Sequence, residues 1–461
     1  MPEFHAEPYL YLPAISHKSV LVAWGAFYFR VKSGGEMKLV DPEDLDHVHP
    51  PRKDTIGARS APYGPARVEV RDAQGLTVAV AQTDTTNHCW VTGLRPDTEY
   101  SYRVVVKGEE WAQGVRWDWS PANNGLVKGG TYDNRFRTSP DPDAPASSLT
   151  FAVIGDFGVG MKKESADRRQ KQVADALRAA LEAHDVRFIL TTGDNIYAGR
   201  RFLGIPIGHT GDEDDDWFFT YFQPYRYVIN RVCVYPSIGN HDTGETEDHD
   251  DRAQVEDNFY IRERIAAEEA AGRASFEPGM FYRFRYGSNI EFVCIDTSKE
   301  SFFAERLFEH PKHREFINNA FPATTSPAWR VPFCHHPPFS AGPTHHNTES
   351  MQMLIPLFER SGVRAVFSGH EHNFQHSSAG GIDYFVTGAA GKFRAAVPDD
   401  FVKAHTRSWS SACHFLLVSI AGQEMTVRAI GELADPGALS DIARFGPDGE
   451  RVTETMKVGL P

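Results

Sequence analysis

Long apolar runs are missing from this sequence. Nowhere do about 18 apolar residues follow one another, so no membrane-spanning helix is expected. A basic excess is missing too: 48 Lys and Arg stand against 62 Asp and Glu, a formal net charge of −14. Nucleic-acid-binding surfaces normally carry a basic patch, so that class of partner is not expected. A small anionic substrate stays open, because bound cations invert the sign of a local site. Cysteines are few, scattered and odd in number, five in all. Cys233, Cys294 and Cys334 lie inside apolar, β-like runs and read as buried free thiols. No Asn-x-Ser/Thr sequon occurs, and Met1-Pro2-Glu3-Phe4-His5 lacks the basic region and apolar core of a secretion signal. Together these absences favour a reducing, cytoplasmic compartment. Internal repeats and low-complexity tracts are absent as well. What remains is 461 residues, 41% hydrophobic, 24% charged and 12% aromatic, enough for two or three globular domains around a large core.

The first part of the chain reads as all-β. Ser19-Val20-Leu21-Val22-Ala23-Trp24-Gly25 and Ala66-Arg67-Val68-Glu69-Val70-Arg71 alternate as half-buried strands do. Further on, Leu94-Arg95-Pro96-Asp97-Thr98-Glu99-Tyr100 resembles the tyrosine corner of fibronectin type III domains, which implies a β-sandwich. The polar stretch 32–65 is a long insertion for such a fold. Thr138-Ser139-Pro140-Asp141-Pro142-Asp143-Ala144-Pro145 then reads as a linker. The expected division is a sandwich over 1–145, a second domain over 146–430 and an extension over 431–461.

Past the linker, strands alternate with helices. Leu149–Ile154, Val186–Leu190, Val232–Ile238, Val331–Cys334 and Arg364–Phe367 are short β-branched or apolar runs. Val173, Leu177, Ala180 and Leu181 form one helical face between the first two. This pattern predicts an α/β domain with buried sheets. Each of the five runs ends in potential metal ligands: Gly155-Asp156-Phe157-Gly158, Gly193-Asp194-Asn195-Ile196-Tyr197, Gly239-Asn240-His241-Asp242, His335-His336-Pro337 and Gly369-His370-Glu371-His372. Ligands at the carboxyl ends of such strands fall along one edge of the sheet, where α/β folds build their sites. The glycines before Asp156, Asp194, Asn240 and His370 fit sharp turns out of the strands. A lone Gly-Asp is usually a turn and a lone His-x-His usually surface. Five clusters in this order, each at a strand end, exceed coincidence.

In these motifs the chain resembles the metallophosphoesterase superfamily. Two positions select its purple acid phosphatase branch: Gly158 stands where most branches have a metal-binding histidine, and Tyr197 stands three residues after the second aspartate. The implied fold is a metallophosphoesterase β-sandwich flanked by helices, behind the all-β amino-terminal sandwich. Carried over by position, the resemblance implies a first metal held by Asp156, Tyr197 and His372, with Asp194 bridging to a second held by Asn240, His335 and His370. The anionic oxygens of the first set suit Fe³⁺; the second set suits Fe²⁺, Zn²⁺ or Mn²⁺. Of the pair His335-His336, the family spacing picks His335, and strand alternation would turn His336 to the opposite face. The resemblance further implies that His241 faces the phosphate and leaving group, with Asp242 orienting it or bracing the site. His345, rather than His346, is the candidate for substrate contact.

The implied activity is hydrolysis of small phosphate esters by a metal-bound hydroxide, as an acid phosphatase. A phosphodiesterase of the same superfamily is the rival on substrate. A binding or adhesion protein built on the sandwich is the rival from another class, and it is disfavoured because none of the seven ligand positions is missing. Family members are often exported, which sets precedent against the cytoplasmic expectation. The acidic run Asp212–Asp216 reads as the start of a helix over Trp217–Phe222, where it would complement the dipole. Thr246–Asp251 reads as a solvated loop, and Asp296 is open between facing the site and a strand-end role.

Overall fold

Apolar alternation builds the amino-terminal part as two facing antiparallel sheets. In the first, Glu3–Ile15 pairs with Ser19–Val31, which also pairs with Met37–Leu39 and His88–Thr92. The second runs Arg135–Arg137, Glu99–Val106, Ala66–Arg71, Thr77–Thr83. The structure is a computed structural model describing residues 3–32, 37–40, 58, 60–162, 169–197, 201–202, 205–206, 217–243, 250–270, 280–298, 311–431 and 438–461. Most of the 32–65 insertion and the acidic residues 212–216 and 246–249 lie outside them. Trp217 and the wide helical turn Phe218–Phe222 run on into helix Gln223–Ile229. Asp250 and Asp251, expected in a loop, open the helix Asp250–Asn258. At the corner of the sandwich, the Arg95 backbone N–H donates to the Tyr100 hydroxyl at 3.0 Å.

Ser19–Val31 departs from the half-buried expectation, being buried on both faces over most of its length. Val20, Val22, Trp24 and Tyr28 fill the sandwich core. Leu21, Ala23, Phe27 and Phe29 turn the other way, onto a second core that includes Phe218 and Phe222. Ring centroids lie 5.0 Å apart for Phe27–Phe218 and 4.5 Å for Tyr9–Phe222. The same seam buries an ion pair, Glu7 with Arg226 at 2.7 Å, both about fully enclosed. Breaking such a pair from one side typically costs about 3–5 kcal/mol. The sandwich is therefore joined to the rest of the chain through a buried, aromatic and charged seam.

The remaining chain stacks two mixed sheets. One has the order Cys233–Tyr235, Val186–Thr191, Ser148–Ile154, Phe415–Ala421, Glu424–Ile430, Met456–Gly459. The other runs from Tyr282–Tyr286 through Ile290–Cys294, Trp329–Phe333, Ala365–Ser368, Ile382–Thr387, Phe374–Ala379 and Thr406–Ser410 to Arg444–Phe445 and Arg451–Val452. Phenylalanines lock the sheets face to face: Phe151 lies 5.1 Å from Phe292 and 6.1 Å from Phe367. The outer face of the first sheet is covered by helix Gln170–His184 through Val173, Leu177, Ala180 and Leu181, the face expected from spacing. Helices Pro311–Ala320 and Ile355–Arg360 cover the second sheet. Residues 431–461 add Met456–Gly459 to the edge of one sheet and two short strands to the other.

Candidate metal centre

Parallel pairing aligns the strand ends that carry the motifs. Ser148–Ile154, Val186–Thr191 and Cys233–Tyr235 run parallel in one sheet, Trp329–Phe333 and Ala365–Ser368 in the other. Asp156, Asp194, Asn240, His335 and His370 each follow their strand within a few residues and converge on one edge. The loops are stitched together by backbone bonds. Asp156 N–H donates to Gly193 O (3.1 Å), Gly158 N–H to Asp194 O (3.2 Å), Tyr197 N–H to Gly158 O (3.0 Å) and Gly369 N–H to His335 O (2.9 Å).

Of the glycines before the motifs, Gly193 takes a positive φ of +89°, as a sharp turn requires, whereas Gly239 and Gly369 act differently. The candidate ligands themselves take the left-handed backbone: φ is +53° at Asp156, +50° at Asp194 and +71° at His370. Conformations of this kind cost about 1–3 kcal/mol each in non-glycine residues and cluster at functional sites. Gly239 and Gly369 do not need positive φ. A β-carbon at Gly239 would strike the Asp194 carboxylate, and one at Gly369 the Asp156 carboxylate, so these glycines make room for ligands. Gly158 is closed in the same sense: a β-carbon there would meet the Asn195 carbonyl and the Ile196 nitrogen. A histidine at 158 does not fit beside the loop that delivers Tyr197.

Two groups of donor atoms form. In one, Tyr197 Oη lies 3.2 Å from Asp156 Oδ1 and 3.2 Å from His372 Nε2, with His372 Nε2 3.3 Å from Asp156 Oδ1. In the other, His335 Nε2 lies 2.9 Å from Asn240 Oδ1, 3.0 Å from His370 Nδ1 and 3.5 Å from Asp194 Oδ1. Asp194 lies between the groups: its carboxylate, that of Asp156 and a His335 nitrogen lie within 4.8 Å of one another. Atoms bound about 2.0–2.2 Å from one ion sit about 3.0–3.6 Å from each other, so both groups have the spacing of a coordination shell.

Electrostatics points the same way. His335 Nδ1 is 2.8 Å from the Thr192 carbonyl oxygen, which only accepts, so Nδ1 carries the proton. Nε2 therefore presents a lone pair to the oxygens of Asn240 and Asp194, and acceptors facing acceptors call for a cation. Burial, and then the charge of Asp194, push the Asp156 carboxyl well above the usual range. Two such carboxylates are not charged together without a cation between them. Burial lowers His335, and holds His370 and His372 well below the ordinary range, leaving neutral imidazoles able to bind metal. The residues present fit a pair of metal ions.

Around these groups, His241 anchors its backbone N–H on Asp194 Oδ1 at 3.0 Å, and its ring lies 4.5 Å from that of Tyr197. His345 lies 3.8 Å from the His370 ring, whereas His346 turns outward to Asp399 at 2.8 Å. Asp242 is fully buried and accepts from the Asn195 side chain (2.8 Å), the Ile196 N–H (3.1 Å) and the Gly239 N–H (2.8 Å). It thus braces the second motif loop against the third; burial, then Asp194, push its carboxyl up to about 8. Asp296 accepts from Met280 N–H and from Ser298, a strand-end role. His336 does not point away. It leaves the strand before the alternation applies, sits 4.2 Å from the His370 ring and is tethered to Thr297 Oγ1 at 3.0 Å.

Sequence reasoning missed a sixth strand end. After Ile382–Thr387, the loop from Gly388 to Arg394 is bonded to the ligand segments. Ala390 N–H donates to Gly155 O (3.0 Å), Lys392 N–H to Asp156 O (3.0 Å) and Arg394 N–H to His372 O (2.9 Å). The Lys392 ammonium sits 4.4 Å from the Tyr197 ring centroid. Arg394 Nη1 is 3.3 Å from both oxygens of buried Glu371, and Glu371 also accepts the His345 N–H at 2.6 Å. The readable signal was a glycine-rich stretch, Gly388-Ala389-Ala390-Gly391, after an apolar run.

Residues 149–374 match the family model for calcineurin-like phosphoesterases. The chain is 24% identical over 315 residues to tartrate-resistant acid phosphatase type 5 of Oryctolagus cuniculus, covering 62% of this chain and 89% of that protein. It is 24% identical over 264 residues to purple acid phosphatase 7 of Arabidopsis thaliana, covering 53% and 70%. Among solved structures, that of PhoD aligns with a TM-score of 0.60 at 14% identity over 99% of this chain and 94% of the other. The purple acid phosphatase PPD1 of yellow lupin, Lupinus luteus, aligns with a TM-score of 0.59 at 13% identity over 94% and 73%. The two structural likenesses establish the fold.

Proposed function

Because residues 149–374 form a calcineurin-like metallophosphoesterase domain, we propose that the chain hydrolyses phosphate monoesters at a dinuclear metal centre, as an acid phosphatase. The observation that carries this reading is the pair of donor groups meeting at Asp194, each with coordination-shell spacing. Asp156, Tyr197 and His372 would hold one ion; Asn240, His335 and His370 the other; Asp194 would serve both. The oxygen-rich first set favours Fe³⁺, and the mixed amide and imidazole set favours Fe²⁺, Zn²⁺ or Mn²⁺. When bound, the cations supply charge neutralisation at the phosphoryl oxygens and activation of the attacking water.

The remaining chemistry falls to side chains. Water adds to phosphorus and gives up one proton to solvent, the bond from phosphorus to the alcohol oxygen breaks, and that oxygen takes a proton. His241 would deliver it, a role supported by its backbone bond to Asp194 and its ring lying against Tyr197. Burial lowers the His345 imidazole to about 4, and in its neutral form it would offer an N–H to the bound ester. Asp242 keeps the loop of His241 in register with that of Tyr197. The amino-terminal sandwich reads as fibronectin type III-like, supported by its sheet order and by the hydrogen bond at Tyr100.

The test compares 4-nitrophenyl phosphate with bis(4-nitrophenyl) phosphate on metal-loaded protein. Faster turnover of the monoester is expected; hydrolysis of neither would overturn the reading, and a faster diester would overturn the monoesterase assignment. His241→Ala should keep both metals while kcat falls about 10²–10⁴-fold, the usual share of a general acid. Loss of metal from that variant would make His241 a ligand instead.

A further inference from the structure

Arg394 stands at the rim of the centre with part of its guanidinium uncommitted. Its Nη1 faces both oxygens of Glu371, a carboxylate with no solvent exposure. Among the described residues, no protein acceptor engages Nε or Nη2, and the side chain keeps 29% of its surface open. These two nitrogens form one edge of the planar fork, the edge that grips an oxyanion through two parallel hydrogen bonds. The mount is rigid. Arg394 N–H is bonded to the His372 carbonyl, Lys392 N–H to that of Asp156, and Gly391 packs on Phe157 too closely for any β-carbon. Through Glu371 the guanidinium is also tied to the loop of His345.

Resting on the function proposed above, we infer that Arg394 binds a second oxyanion on the substrate, carried by the alcohol that departs. The preferred esters are then phosphomonoesters whose leaving group bears a carboxylate or another phosphate. In that reading the phosphoryl group undergoing hydrolysis would be met by the bound cations, His241 and His345. An arginine held by a buried carboxylate, with its bidentate edge open, adds recognition beyond that group.

The experiment measures kcat and KM for matched pairs: phenyl phosphate with 3-carboxyphenyl phosphate, and glucose 6-phosphate with glucose 1,6-bisphosphate. The wild type should favour the member with the extra anion in at least one pair, and the pair that shows it identifies carboxylate or phosphate as the group recognised. In Arg394→Gln that selectivity, as a ratio of kcat/KM values, should fall about tenfold, chiefly through KM. Arg394→Lys retains a cation for Glu371 but loses the fork, and should recover only part of the ratio. A wild type with no preference in either pair overturns the inference. So does a variant in which both members of each pair slow equally, since that marks Arg394 as a support for His345 alone. A wild type inactive on all four esters overturns the underlying function instead.

Discussion

Asp194→Ala is expected to lower kcat/KM by about 10⁴-fold or more and to strip metal from both positions. Removing groups that only orient a ligand typically costs about 10–100-fold, and a shared ligand should cost far more. Asp194 is 1% exposed, lies between the two donor groups and fixes the His241 backbone at 3.0 Å. Among these donors only a carboxylate has two oxygens to spread over two ions, so alanine would delete a ligand twice and free the His241 backbone as well. Asn240→Ala removes one neutral oxygen from one group. It should abolish measurable turnover at ordinary metal concentrations but retain one ion. Activity, with metal content on the same samples, checks both. An Asp194→Ala protein that keeps two metals and activity within tenfold of wild type would disprove the bridge.

Tyr197→Phe should erase a visible absorption band while leaving the fold intact. Tyr197 is fully buried, and its hydroxyl oxygen lies 3.2 Å from Asp156 Oδ1 and from His372 Nε2. Left to itself the phenol would stay protonated, since burial and the charges of Asp156 and Asp194 push it well above its ordinary range. A trivalent cation in contact with the oxygen reverses that balance and leaves a phenolate. Phenolate bound to Fe³⁺ absorbs in the visible and colours the protein. Phenylalanine keeps the ring against His241 and Lys392 and removes only the oxygen. Circular dichroism should therefore be unchanged, and the colour lost. An iron-loaded, oxidised wild type without colour, or a Phe variant with the same band, would assign the first position to a divalent ion.

The catalytic sheets were legible because their strands are short apolar runs, each ending in a ligand motif, and parallel pairing carries those ends to one edge. The same regularity put Val173, Leu177, Ala180 and Leu181 on the buried face of their helix. Legibility failed where burial depends on what lies across the chain. Ser19–Val31 alternates as if one face met water, yet its second face meets Phe218 and Phe222, about 190 residues on. Alternation also misplaced His336, because the strand ends at Phe333 and the chain bends at His335 and His336. Asp242 sits beside His241 in sequence, but besides the local Gly239 N–H it accepts two hydrogen bonds from the distant loop of Asn195 and Ile196. Glu371 was visible only as a letter between two histidines. Its partners, Arg394 and the His345 N–H, come from segments that no local pattern links. Glycine was read for the freedom of its backbone, whereas at 239 and 369 its missing side chain is what the ligands need.

Elemental analysis of purified, active protein decides whether two metal ions sit here, with iron at the oxygen-rich position. Two metal ions per chain, at least one of them iron, are predicted from the two donor groups that meet at Asp194. One metal per chain, or full activity without iron, would contradict it.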